Sequence, residues 1–278
     1  MGAPRVGIDG RPLTCSNCQL REACMAPDGA AAGAARFDEL VAARIRLSRR
    51  AALYFAGDRC EFVYAVRVGS LKSVFVTAEG REQVTGFHVP GEWLGLDGIA
   101  SGRYSCDVVA LEDADVCAIP YARLLEFAES VPPLADRLSR VLSREIGREQ
   151  RALAAIGSLH ARERLALFLL DLSERLGVRG GPVADFVLHM SREEIAGYLG
   201  LRLETVCRCL SQLAAAGLIG VRHKRVRIVD AAALRAFALD VRRHAQRADA
   251  RALAPPRSVV TATARGGAAH GSPQTQRR

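Results

Sequence analysis

The first half of the chain carries short apolar runs with a period of two, and the second half carries longer runs with a helical period. Residues 62–68, 71–77 and 83–89 read as strands rich in valine and aromatic side chains. The turn pairs Gly57-Asp58, Gly69-Ser70, Glu79-Gly80 and Pro90-Gly91 stand around them. Two further runs, residues 105–111 and 114–119, complete a series of short strands at close and fairly even spacing, which predicts a small jelly-roll or β-roll. Ahead of the series, Phe37, Leu40, Val41 and Ile45 stand at helical intervals, so a short helix is expected over residues 37–47.

At Val131-Pro132-Pro133 the period becomes helical, with proline suited to a first turn. From Leu134 to about Ser158 only Gly147 stands against a continuous helix, at a cost of ~1 kcal/mol. Within it Leu142, Ile146, Glu149, Leu153 and Ile156 follow at intervals of 4, 3, 4 and 3 residues, the spacing of a coiled-coil seam with one acid inside it. A closed barrel leaves so long a helix little other apolar surface, so the stripe is expected to pair with a second copy. The alternative is that it packs on the barrel with Glu149 at its edge. Another amphipathic helix, residues 161–176, carries Leu165, Phe168, Leu169 and Leu172 on one face.

Ser191 and Glu194 then make a capping box, Gly200 supplies a tight turn, and a second helix runs through residues 203–213. That helix turns Val206, Leu210 and Leu213 inward and leaves Glu204, Thr205 and Arg208 facing out, which is a helix-turn-helix. Leu218-Ile219 and residues 225–229 predict a β-wing carrying Arg222, His223, Lys224 and Arg225 for phosphates. Use of the same surface for protein contact is disfavoured by the basic wing. One more helix is expected over residues 231–247. The tail beyond it has little to bury and is expected to be disordered, its arginines either adding non-specific DNA affinity or simply solvated.

Composition sharpens this picture. A net charge of +9 favours an anionic partner, nucleic acid before membrane. No apolar run reaches signal-peptide or membrane-span length, so a soluble, cytoplasmic protein is expected. Eight cysteines in a reducing compartment point to ligation or redox chemistry and away from disulfides. Cys15, Cys18 and Cys24 lie within ten residues, a spacing that suits a soft-metal or iron-sulfur site, and Cys117 is the candidate for a fourth donor. Spacing alone leaves a cluster, a zinc knuckle and unligated thiols all open. Cys60, Cys106, Cys207 and Cys209 default to small buried hydrophobes. His88, His160, His189, His223, His244 and His270 never cluster as a cupin metal site requires, so a metalloenzyme reading is poor and no catalytic residue is assigned.

The order of cysteine run, β-roll, long helix and helix-turn-helix resembles the CRP/FNR transcription regulators, and the match to the oxygen-sensing FNR branch is close from Cys15 to about Asp230. Gly86-Phe87-His88 with Pro90-Gly91-Glu92, Cys117-Ala118-Ile119-Pro120, Glu163-Arg164-Leu165, and Tyr198-Leu199-Gly200-Leu201 with Glu204-Thr205 and Arg208 carry the resemblance. It implies an α+β chain. The expected parts are a cysteine segment (residues 1–36), a cyclic-nucleotide-binding-like β-roll sensor (37–130), a dimerisation helix (131–159), a winged helix-turn-helix (160–240) and a basic tail (241–278). It further implies a 4Fe-4S cluster on Cys15, Cys18, Cys24 and Cys117, and a homodimer, formed in a monomer-dimer step, on a palindromic double-stranded operator. Glu204 and Arg208 would read a half-site similar to TTGAT, with RNA polymerase as a further partner and anaerobic gene expression as the output.

Three positions depart from the family pattern. Cys207 replaces the usual serine before the recognition arginine. Arg202 replaces the usual Ser or Thr at the helix start, so that cap is lost and a phosphate contact is expected instead. Tyr104-Ser105 stands where nucleotide-binding members have Arg-Ser or Arg-Thr, which would deprive a cyclic phosphate of its bidentate partner. A redox-thiol or small-ligand regulator without a cluster and, from another class, an iron-sulfur or cupin-like enzyme are the competing readings.

Overall fold

Antiparallel pairing turns the alternating runs into two four-stranded sheets. One joins β1 (Ala43–Leu47), β3 (Phe62–Val68), β6 (Trp93–Leu94) and β8 (Ala114–Pro120) in the order β1-β8-β3-β6. The other joins β2 (Ala52–Tyr54), β4 (Leu71–Val76), β5 (Glu82–His88) and β7 (Asp107–Ala110) in the order β2-β7-β4-β5. The computed structural model describes residues 15, 18, 20, 24, 40–177 and 181–239, all in the unit that ends at Leu239. The expected linker before residue 36, the extension of the last helix to residue 247 and the basic tail lie outside the described residues.

Alternation decides what each sheet face covers. Tyr64 and Val66 of β3 meet Val108, Val116 and Leu71 inside the roll, while Val63 and Ala65 face outward with Cys117 and Ile119 toward a second core. Both faces of β3 are therefore buried, which explains its nearly unbroken apolar run. Gly69 turns β3 into β4 at φ +79°, where an added Cβ would stand 2.5 Å from the Asp113 carbonyl oxygen.

The helix expected over residues 37–47 is overturned for its second half, because Ala43–Leu47 is β1, paired residue for residue with β8. Its apolar positions satisfy a helical spacing, but pairing along β8 gives the backbone groups of alternate residues partners in a neighbouring strand. Four elements went unread: the short strands β2, β6 and β9 (Asp185–Val187), and the helix α1 (Tyr121–Ser130), which packs Leu124 against the outward face of β3.

The long helix α2 (Pro132–Ser158) and the helix α3 (Ala161–Leu176) match the expected period. They are followed by α4 (Arg192–Leu199), α5 (Leu203–Ala215), the hairpin β10 (Ile219–Arg222) and β11 (Arg225–Ile228), and α6 (Ala231–Ala238). The hairpin and β9 form the wing sheet in the order β10-β11-β9. Leu165, Leu169, Ile195, Val206, Leu213 and Leu234 close the helical core.

This core runs directly into the roll. The Phe87 ring of β5 stands 5.9 Å from Phe168 and 5.3 Å from Tyr198. Beside it Glu92 accepts from Arg148 of α2 at 2.7 Å and from Arg175 of α3 at 2.7 Å, and Lys72 of β4 pairs with Glu194 of α4 at 2.8 Å. Burial alone would push the Glu92 carboxyl up, but Arg175 and Arg148 outweigh it and hold it down at about 2. His88, which shares a 3.1 Å contact with Ser73, is pushed down to about 3, chiefly by burial.

Candidate functional site

Backbone turns fold the cysteine segment onto the roll: the Cys18 amide donates to the Cys15 carbonyl at 3.1 Å and the Cys24 amide to the Leu20 carbonyl at 2.8 Å. Cys15 and Cys24 pack into the same core as Cys117, Trp93, Leu124 and Leu134. The Cys24 thiol is pushed well up, first by burial and then by the proximity of Cys117, Cys15 and Cys18, with Arg137 acting against them. Burial raises Cys117 as well, opposed by Arg44 and Arg67 and reinforced by Asp115 and Cys18. Cys15, Cys24 and Cys117 thus share one core, and Cys18 is tied to Cys15 by its backbone turn. Cys106 does not belong to this group; its thiol, pushed up to about 12 by burial and by Asp97, lies against the Asp97 carboxylate at 3.7 Å.

Among the described residues no three His, Cys, Asp or Glu side chains close on a single ion. Soft donors gathered in an apolar core, with the Arg44 guanidinium opposite Cys117 across the β1-β8 ladder and Arg67 bound to Asp115 beside it, fit the softness and negative charge of an iron-sulfur cluster.

The second site lies on α4, α5 and the wing. The Ser191 hydroxyl accepts from the Glu194 amide at 3.0 Å while the Glu194 carboxylate accepts from the Ser191 amide at 2.6 Å, and Gly200 ends α4 at φ +63°. Val206, Cys209, Leu210 and Leu213 are buried, so Glu204 and Arg208, four residues apart, share the outer face of α5 with Cys207, and Thr205 is half-buried beside them. Cys207 is exposed, which corrects its reading as a buried hydrophobe: it lies one step round the helix from Val206, off the inward stripe. Arg202 occupies the N-cap without a side-chain cap bond and is exposed. His223 and Lys224 form the two-residue tip of the wing, where His223 adopts φ +53° and its carbonyl accepts from Arg192 at 2.9 Å. Arg225 pairs with Asp185 at 2.6 Å, which leaves Arg222 and Lys224 as the wing cations better disposed toward phosphate.

The third feature is the outer stripe of α2. Leu134, Leu138 and Val141 pack on the roll, whereas Ile146, Leu153 and Ile156 are 59%, 69% and 40% exposed, with Leu142 half-buried at the head of the stripe. Glu149 is exposed and also stands at the rim of a cavity of about 320 Å³ between the roll and α2.

Residues 44–131 match the model of a cyclic nucleotide-binding domain, and residues 163–237 match that of a Crp-like helix-turn-helix domain. The transcriptional regulatory protein btr of Bordetella pertussis is 41% identical over 81% of this chain and 93% of its own. The chain belongs to the CRP/FNR family of transcription regulators. Other CRP/FNR relatives include the transcriptional activator protein anr of Pseudomonas aeruginosa, 39% identical over 81% of this chain and 92% of its own. The fumarate and nitrate reduction regulatory protein of Salmonella typhimurium is 33% identical over 84% and 94%. Among solved CRP/FNR structures, FixK2 from Bradyrhizobium japonicum superposes with a TM-score of 0.63 at 30% identity, covering 70% of this chain and 96% of that one.

The cavity is lined partly by the domain matched as nucleotide-binding and partly by α2, α3 and α4, and it carries Asp97 and Glu149 as well as Arg148 and Arg175. Asp97 accepts there from the Ser105 amide at 2.8 Å and hydroxyl at 2.6 Å, so the cavity carries a carboxylate beside Ser105. Tyr104 is buried, stacked 3.8 Å from Tyr54, and its hydroxyl donates to the Phe62 carbonyl at 2.7 Å. Residues that the sequence did not single out include Arg44, Arg67 and Arg137 around the thiols, and Arg148 and Arg175 around Glu92. The alternation Arg44, Arg46 against Ile45, Leu47 was the available signal for β1, and hence for Arg44 facing β8.

Proposed function

We propose that this CRP/FNR regulator senses oxygen through a 4Fe-4S cluster held by Cys15, Cys18, Cys24 and Cys117, and works in the cytoplasm. As a homodimer it binds a palindromic FNR-like operator and controls anaerobic genes with RNA polymerase. The observation that carries the reading is that Cys15 and Cys24, local in sequence, pack into one core with Cys117 of β8. When bound, the cluster supplies the oxygen-labile chemistry. The chain supplies four soft donors, an apolar wall that limits water, and guanidiniums that compensate negative charge. Recognition falls to Glu204 and Arg208, whose carboxylate and guanidinium suit cytosine N4 and guanine O6/N7 in a major groove. Thr205, Cys207 and Arg202 line the same surface, and Lys224 meets the backbone.

Anaerobic purification tests the proposal: the wild type should be brown, with sulfide and about four irons per chain. Serine at Cys15, Cys18, Cys24 or Cys117 should abolish both the cluster absorption and oxygen-dependent DNA binding, and Cys106→Ser should not. Loss of the cluster in Cys106→Ser with retention in Cys117→Ser would overturn the assignment of the fourth ligand.

A further inference from the structure

Three arginines on three separate elements surround the thiol site. Arg44 of β1 lies directly opposite Cys117 across the β1-β8 ladder, which sets the two side chains side by side on one face of the sheet. Arg67 of β3 donates to Asp115 at 2.8 Å, two residues from Cys117 on that face of β8. Arg137 lies on α2 between Leu134 and Leu138, both of which pack into the core that holds Cys15, Cys24 and Cys117. Arg137 is itself half-buried there. Arg44 and Arg67 are anchored in the roll, whereas Arg137 belongs to the helix that bears the exposed stripe.

A four-iron core held by four thiolates is an anion overall, and it is absent once the cluster is dismantled. We infer that Arg137 is a positioning residue through which the anionic group on the four cysteines draws the first turns of α2 onto the roll, and so sets the stripe Leu142, Ile146, Leu153 and Ile156 for a second copy. Arg137 and Ile146 are ~14 Å apart along one helix, so a shift at the first is carried to the second. Arg44 and Arg67 hold the opposite side of the site still. The inference rests on the cluster reading and adds the link from the site to the helix.

The test uses full-length protein, prepared without oxygen, in three forms: wild type, Arg137→Gln and Arg137→Lys. Iron and sulfide content report loading, and sedimentation before and after removal of the cluster by air reports association. Loaded Arg137→Gln should dimerise about tenfold more weakly than loaded wild type, within the usual range of a coupling between sites. Arg137→Lys should recover most of the loss, and the three cluster-free proteins should associate alike. If Gln prevents loading while Lys permits loading and dimerisation, the charge role also stands. Loaded Arg137→Gln that dimerises like wild type, an equal loss in the cluster-free proteins, or failure of Lys to rescue would each overturn the link alone. Wild type without iron and sulfide would instead overturn the cluster reading and the inference with it.

Discussion

Arg208 and Lys224 are both exposed cations, yet they stand on surfaces that ask different things of them. Arg208 projects from a helix whose inward stripe fixes its direction, with Glu204 one turn earlier on the same face. Lys224 sits at the tip of a two-residue turn, where it can follow a phosphate but cannot select a base. Arg208→Ala should therefore lose ~1–3 kcal/mol at one guanine and bind altered sites no worse than the original. Lys224→Ala should weaken all sequences alike and reduce the salt slope by about one. Affinities on a palindromic site series at several salt concentrations measure both; equal losses on specific and random DNA for Arg208→Ala would remove it from base reading. The outward positions of α5 were legible because its inward period is strong. The pairing of Arg225 with Asp185 was not, since β9 is three residues long and its partner lies 40 residues away.

The helix α2 has two apolar stripes. One is satisfied by the roll, and the other, interrupted by Glu149, is exposed. In a parallel two-fold pair Glu149 would meet its own mate. Two carboxylates about 5 Å apart repel by between ~1 and ~3 kcal/mol as the effective dielectric falls from 80 to 20, the lower figure applying while water reaches them. That is comparable to the contribution of one seam leucine. Glu149→Ala should accordingly dimerise and bind DNA in air and without iron. Sedimentation of the aerobic, cluster-free variant decides: a monomer identical to wild type would mean that the stripe is not the seam or that the charge stays hydrated. The 4-3-4-3 spacing was visible in the sequence. The position of Glu149 at a cavity rim was not, because it depends on how α2 lies against the roll.

The junction of roll, long helix and DNA-binding helices buries two groups, Glu92 and His88, whose titration ties stability to pH. Glu92 and His88 have folded-state values of about 2 and about 3, both below their ordinary ones, so the unfolded chain binds more protons as pH falls. The stability they contribute is complete above pH ~6.5 for His88 and above ~4.5 for Glu92, and it is lost as pH falls toward those folded values. The thermal midpoint of the cluster-free protein should fall from pH 7 to pH 4, and His88→Gln should flatten the upper part of that slope. A midpoint indifferent to pH would show the junction to be hydrated and open. At this scale the division between sequence and tertiary structure is sharpest. Caps, turns and periods are local, so the sequence determined the runs that become β3, β4, β5, β7 and β8, the helices α2 to α5, the helix-turn-helix with its Ser191-Glu194 box, the apolar stripe of α2 and the tight cysteine run. Pairing and burial are not local. Only the tertiary structure made Ala43–Leu47 a strand by laying it along β8, set Arg44, Arg67 and Arg137 around the thiols, and joined Glu92 to Arg148 and Arg175, 56 and 83 residues away. Such contacts are selected by the free energy of burying both partners together, which neither segment carries in its own pattern.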